Sequence, residues 1–295
     1  MKYAFILVVT FLSSCQSEIN SEEETQQKAE QKRNLSNEFK SYWYSGLAEL
    51  TSYDLEFYRY GEKREGTAMT IFVTEDFLKD PQVKASSPAE SSVSVMKLNS
   101  TKKFNTGIYP YSIMQSTFLP LTREVPLLKL TSSVQEWCGQ TYAQLNHRED
   151  FEIESHSYFE GEADSYLKMA PILSENEIWI QLRINPKELK LGEQQILPDF
   201  SYLQLNHKDF KGYKAQVEQT ETEYIESKIS YENIGIVLKI YQEKEFPFTI
   251  EKWEEIKITA KDTLVSKATK IKTMRTKYWQ QSSNKYLHLR DSLSL

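Results

Sequence analysis

The sequence predicts a mainly β, antiparallel fold: one strongly curved sheet or incomplete barrel, with a two-sheet sandwich as the alternative. Three observations predict it. The composition favours strands, with 18 Tyr and 14 Phe among many Thr, Ile and Val. Apolar and polar residues alternate in short runs separated by Gly, Asn and Pro punctuation. The links between runs are short, which antiparallel pairing allows and parallel pairing does not. A sheet of more than ten strands must curl or split to protect its edges.

The N-terminus precedes this domain and differs from it. Met1-Lys2 gives a positive start, and Tyr3 to Leu12 is an apolar run too short to span a bilayer as a helix. Leu12-Ser13-Ser14-Cys15 resembles a bacterial lipobox. By that resemblance, residues 1–14 are a lipoprotein signal peptide and Cys15 becomes the acylated first residue of the mature chain. Several acyl chains, at about 0.8 kcal/mol per buried methylene, anchor a protein stably. The expected location is the cell envelope, at the outer membrane, with the leaflet face left open. Residues 15–41 read as an acidic, polar tether, helical toward Leu35–Tyr42, where Leu35, Phe39 and Tyr42 share a face. Glu18 and Glu22–Glu24 follow the cysteine as in some surface-export signals, or serve as a solvated spacer.

Residues 42–295 form the single β-rich domain. Leu47–Tyr60 and Thr67–Thr74 read as a hairpin around a Gly61–Gly66 turn. Ser94–Lys103 and Tyr109–Leu121 follow, joined at Asn105-Thr106-Gly107. Leu127–Leu145 holds two strands broken near Gly139. Phe151–Phe159 alternates, with Phe151, Ile153 and Phe159 on one face and Glu152, Glu154 and His156 on the other. Glu177–Ile184, Tyr202–Leu205, Lys214–Tyr224, Ile234–Gln242, Ile256–Lys261 and Leu264–Tyr278 continue the strand pattern. Lys187–Gly192 is irregular or helical, and Phe246–Trp253 is ambiguous. Tyr142-Ala143-Gln144-Leu145-Asn146-His147 matches Tyr202-Leu203-Gln204-Leu205-Asn206-His207 at all but one position, either as a duplicated strand and turn or by chance.

Charge excludes some functions. The net charge is −6 and becomes one unit more negative when Lys2 leaves with the signal, which argues against nucleic acid as a partner. No phosphate loop, dinucleotide fingerprint or nucleophile elbow is present, so no catalytic residue and no cofactor is assigned. With Cys15 lipidated, Cys138 has no intrachain partner and reads as a buried thiol beside Trp137. The densest set of possible metal ligands is Glu152, Glu154 and His156. They lie about 7 Å apart along one strand face and need further ligands from a neighbouring strand. Trp43, Tyr44, Tyr109, Tyr111 and Trp137 are the candidate ligand-binding residues, as an aromatic platform.

Trp43-Tyr44-Ser45-Gly46, Thr70-Ile71-Phe72-Val73-Thr74-Glu75-Asp76, Lys103 through Tyr111 and Gln135-Glu136-Trp137-Cys138-Gly139 together resemble a family of Bacteroidota lipoproteins. That family is often labelled "septum formation inhibitor Maf". Genuine Maf proteins are α/β nucleotide pyrophosphatases with an N-terminal Ser-x-x-Arg motif, which this sequence replaces with a lipobox. The resemblance therefore implies an exported lipoprotein and carries over no Maf catalytic residue. The expected function is a non-enzymatic envelope module that binds an apolar ligand or another envelope protein. A metal-assisted envelope hydrolase is the alternative.

Overall fold

Antiparallel hairpins set the architecture. The computed structural model describes residues 33–87, 89–122 and 126–295; Cys15, the signal and most of the tether lie outside them. Helix α1 (Asn37–Trp43) comes first, capped by Ser36, whose hydroxyl accepts from the Phe39 amide at 3.0 Å. Eight strands follow: β1 (Ala48–Arg59), β2 (Glu62–Leu78), β3 (Val83–Lys84), β4 (Ser92–Thr106), β5 (Tyr109–Pro120), β6 (Lys129–Glu136), β7 (Gly139–His147) and β8 (Phe151–Ser157). Then come β9 (Ser165–Met169), β10 (Leu173–Ser174), helix α2 (Glu175–Ile184), β11 (Gly192–Leu197) and helix α3 (Phe200–Leu205). The chain continues with β12 (Tyr213–Glu221), β13 (Ile225–Tyr231), β14 (Ile236–Gln242), β15 (Ile250–Ile258) and β16 (Thr263–Thr276), and α4 (His288–Asp291) lies near its end.

All sixteen strands join one sheet, and its order is unusual. The path runs β10 to β16, passes to β1, and continues through β2 and β4 to β9, with β3 beside β2. The first and last long strands therefore pair in the middle, from Ala48↔Thr276 to Glu56↔Lys267. The two edges are β9 and β10, separated in sequence by residues 170–172 only. So short a link holds the edges near each other, and the sheet curls without closing.

The curl is visible in side-chain contacts. Lys102 on β4 and Glu255 on β15 sit four strands apart, about 19 Å along a flat sheet. Their side chains nevertheless form an ion pair across the interior. Inside the curl α2 is buried on nearly all sides, and Ile178, Ile180 and Leu182 belong to one large core with Phe72, Leu98, Leu119 and Ile240. Arg183 is buried there to 1% exposure. Its guanidinium donates to both oxygens of Glu49 at 2.6 and 2.9 Å, and to the Pro247 carbonyl at 3.0 Å. It also lies over the rings of Trp43 and Phe72.

Two expected strands are helices. Glu177–Ile184 belongs to α2, and Tyr202–Leu205 to α3. Burial on every side gives α2 no polar stripe, so its Ile-Trp-Ile-Gln-Leu-Arg-Ile run imitates a buried strand. The residues that decide are the caps, Ser174 before α2 and Asp199 before α3. Five strands went unpredicted: the longer β9, β11 and β13, and the two-residue β3 and β10. Gly66 lies inside β2, not in a turn; the turn is Tyr60-Gly61, both at positive φ, a type I′ hairpin. The two similar hexapeptides adopt different structures, strand β7 against α3 and a turn, so they are not a structural repeat.

Candidate functional site

The meander places the turns β1–β2, β4–β5, β6–β7 and β8–β9 at one end of the sheet. The first three are two-residue turns, and each presents a large apolar side chain outward. Tyr60 is 62% exposed, Ile108 86%, Trp137 69%, and Tyr158 on the fourth turn 66%. Of the expected platform, Tyr109, Tyr111 and Trp137 gather here. Tyr109 lies 5.9 Å from Tyr111 and 6.4 Å from Trp137, between ring centroids. Tyr111 is buried and stacks on Phe104 at 4.9 Å, so it supports the platform from below. Arg59 joins them: its guanidinium lies over Tyr60 and donates to the Leu205 carbonyl at 2.8 Å. The Tyr60 and Tyr111 hydroxyls are bonded at 2.8 Å. Trp43 and Tyr44 lie elsewhere, at the opposite end, where Trp43 is core and Tyr44 is exposed.

A groove of about 780 Å³ adjoins this platform. It runs between β7–β9 and the α3 segment, along the open side of the curl, and Phe159, Glu162, Gln204, His207 and Asp209 are among its walls. His207 packs edge-on to Phe159 at 4.9 Å and bonds Glu162. A small recess lined by Arg59, Tyr111 and Glu136 shares Thr141, Phe159, Gln204 and His207 with the groove, so the base of the platform at Tyr111 adjoins it. Thr141 borders both spaces at 5% exposure, and its hydroxyl is buried without a hydrogen-bond partner.

A second, interior space lies where α2 and α3 begin. It measures about 60 Å³. The two helix starts are cross-tied: the Asn176 side-chain amide donates to Asp199 at 2.7 Å, and the Phe200 backbone amide donates to the Asn176 oxygen at 3.2 Å. Glu175 accepts from the Tyr231 hydroxyl at 2.7 Å. Burial, reinforced by the nearby Asp199 charge, pushes the Glu175 carboxyl up to about 8. Across the space, Lys102 pairs with Glu255, which also accepts from the Trp253 indole at 3.1 Å. Burial works against the Lys102 charge, but Glu255, Asp199 and Glu175 together raise its proton affinity. The concave face expected to hold an apolar ligand is thus filled by two helices. What remains is well below the roughly 300 Å³ of a small ligand pocket.

The proposed metal row lies on the outer face of β8. Glu152 pairs with Lys168 at 2.6 Å, and His156 with Asp164 at 3.0 Å. Glu154 stands opposite Gln144 and Tyr166 in the register. No group of three or more His, Cys, Asp or Glu among the described residues could hold a metal ion. Cys138 is exposed, not buried, because it occupies the tip of the two-residue β6–β7 turn. Its amide donates to Glu136 at 2.7 Å, and the Glu136 side chain, with burial second, raises the thiol's proton affinity.

The α2 and α3 cluster escaped sequence reasoning because both helices read as strands. Ser174-Glu175-Asn176-Glu177, a cap followed by an acid at the third helical position, was the signal that could have found it. No family model, curated protein or solved structure matches this chain.

Proposed function

We propose that this chain is a lipid-anchored protein of the cell envelope, at the outer membrane, and that its β domain is a non-enzymatic binding module. Its site is the groove beside the aromatic turns, and its ligand is a hydroxyl-rich molecule of saccharide type. The observation that carries this reading is a 780 Å³ groove that adjoins a recess lined by Arg59, Tyr111 and Glu136, beside which Tyr60 and Trp137 are exposed. That volume lies within the range of ligand sites, about 300–1,000 Å³. Sugar rings offer apolar C–H faces to aromatic side chains and a rim of hydroxyls to planar polar groups. Tyr60, Tyr109 and Trp137 supply the first, and Arg59, Glu162, Gln204 and Asp209 the second.

The anchor reading rests on Leu12–Cys15. The described chain enters beside Thr122, at the end of β5 opposite the aromatic turns, where the Arg33 amide donates to the Thr122 carbonyl.

Two measurements test the two halves of the reading. Titrating the full chain with neutral and charged oligosaccharides should shift tryptophan emission to the blue, and Trp137→Ala should weaken binding about tenfold, or 1.4 kcal/mol. A flat response to every oligosaccharide overturns the saccharide site. Metabolic labelling with palmitate should mark the wild type and not Cys15→Ser; equal membrane recovery of both overturns the anchor.

A further inference from the structure

The interior cavity is separate from the groove and has its own chemistry. Three carboxyl groups face it, Glu175 from α2, Asp199 from the start of α3 and Glu255 from β15. One ammonium, Lys102 from β4, opposes them and is already paired with Glu255. Trp179 and Trp253 form an aromatic wall, edge to face at 5.2 Å. Gln115 on β5 completes the lining at 5% exposure, and one end of its carboxamide has no partner. The other end accepts from the Ser100 hydroxyl at 3.3 Å. Rotating the amide by half a turn exchanges these roles and points a carbonyl oxygen at the unfilled position.

We propose that this cavity is a binding site for a small organic ammonium ion. Carboxylates and an amide oxygen accept the N–H groups, and the indole faces attract the charge and cover the alkyl part. An anion is disfavoured because Lys102 is the single cation facing the space among the described residues, and Glu255 holds it. A hard divalent metal wants about six oxygen ligands, and Asp199 already accepts from Asn176, Ser201 and Tyr202. Water alone makes poor use of two indole rings. At roughly 10–15 Å³ per water-sized unit, the cavity of about 60 Å³ takes at most about four to six heavy atoms, a limit within which the smaller methylammonium and ethylammonium fit.

The proposal has a proton signature. The titratable groups facing the site are Glu175, Asp199, Glu255, Lys102 and Tyr202, with Tyr231 behind Glu175. Glu175 is largely protonated at neutral pH. A cation beside it favours the carboxylate, so binding releases the carboxyl proton to solvent. Calorimetric titration of the full chain with methylammonium and with ethylammonium near pH 7 tests this, in two buffers of different ionisation heat that contain no primary amine. The expected result is one site with a buffer-dependent heat equal to release of most of a proton. Glu175→Gln should abolish the release and weaken binding about tenfold or more. Potassium chloride at the same ionic strength should give no such heat. Absence of binding at tens of millimolar, or binding that releases no proton in the wild type, overturns the site. The wild-type comparison decides even if the variant does not fold, and failure of the saccharide titration has no bearing on it.

Discussion

At the scale of single residues, two buried acids behave oppositely because their neighbours differ. Burial alone would raise the Glu49 carboxyl; the Arg183 guanidinium overrides it and holds the group below the usual range. Removing one partner of such a pair strands a buried charge. Arg183→Met should therefore cost about 3–5 kcal/mol in urea unfolding, and adding Glu49→Leu should recover much of that loss. Equal stability of the single and double variants would contradict a coupled pair. Burial comes first among the causes that lift Glu175 to about 8 and Glu177 to about 7, and it outweighs the opposing charges of Lys102 and Arg33 respectively. Each holds a proton in the fold that the unfolded chain has released above the ordinary carboxyl range. Their contribution is favourable at low pH and is lost as pH rises toward the folded values, by up to about 1.4 kcal/mol per pH unit for each group. Glu49 does not interfere, since its effect falls below that window. His147, whose proton affinity burial lowers, works the other way, so wild type and variant must be compared. Between pH 5 and pH 8, Glu175→Gln should show a smaller loss of melting temperature than the wild type. Parallel pH profiles would sink the argument.

At the scale of elements, the strands were legible where one face is wet. On β8, Phe151 and Ile153 are buried while Glu154 and His156 are exposed, and alternation found it. The curled sheet was legible too, from the number of strands and their short links. The interior was not. A helix enclosed on all sides loses its period, and α2 and α3 became strands for that reason. The candidate site was half legible: Tyr109, Tyr111 and Trp137 meet, but their neighbours Arg59, Thr141, Glu162 and His207 come from distant segments with no motif. Gly66 shows how a tertiary constraint resembles a local one. It reads as turn punctuation, yet its role is close approach, because a Cβ there would lie 2.1 Å from the Lys103 carbonyl oxygen on β4. Gly66→Ala must displace backbone at the end of the β2–β4 ladder, where Gly66 pairs with Phe104. It should lower the urea midpoint by the equivalent of about 2–4 kcal/mol. An unchanged midpoint would mean that the two strands separate there without cost.

At the scale of the molecule, the decisive feature is where the chain's two ends meet. Strand β1 begins the sheet and β16 ends it, and they pair at its middle, so the longest-range contacts in sequence close the structure. Such pairings form against the largest loop-closure entropy and gain from any added fastening. The convex face over this join is apolar: Ala48 and Leu50 of β1 and Val73 of β2 cluster there with Met274 of β16. The segment after β16 turns back over them. Leu293 is buried in that cluster, and Tyr278 and Leu295 pack beside it. The C-terminal turns thus act as a clasp on the join between first and last strands. Leu293→Ala removes a buried side chain and should cost roughly 2–3 kcal/mol. Leu293→Asp adds a charge with no ionic partner in the cluster and should release the whole segment, uncovering the patch. The expected outcome is a lowered urea midpoint for both variants and concentration-dependent self-association for Leu293→Asp alone, read by light scattering after size exclusion. Faster hydrogen exchange should appear first at amides of β1 and β16, ahead of β6 and β7 on the far side of the sheet. If exchange instead rises uniformly, or the aspartate variant keeps the wild-type midpoint, the tail is a passive cover and the join holds without it.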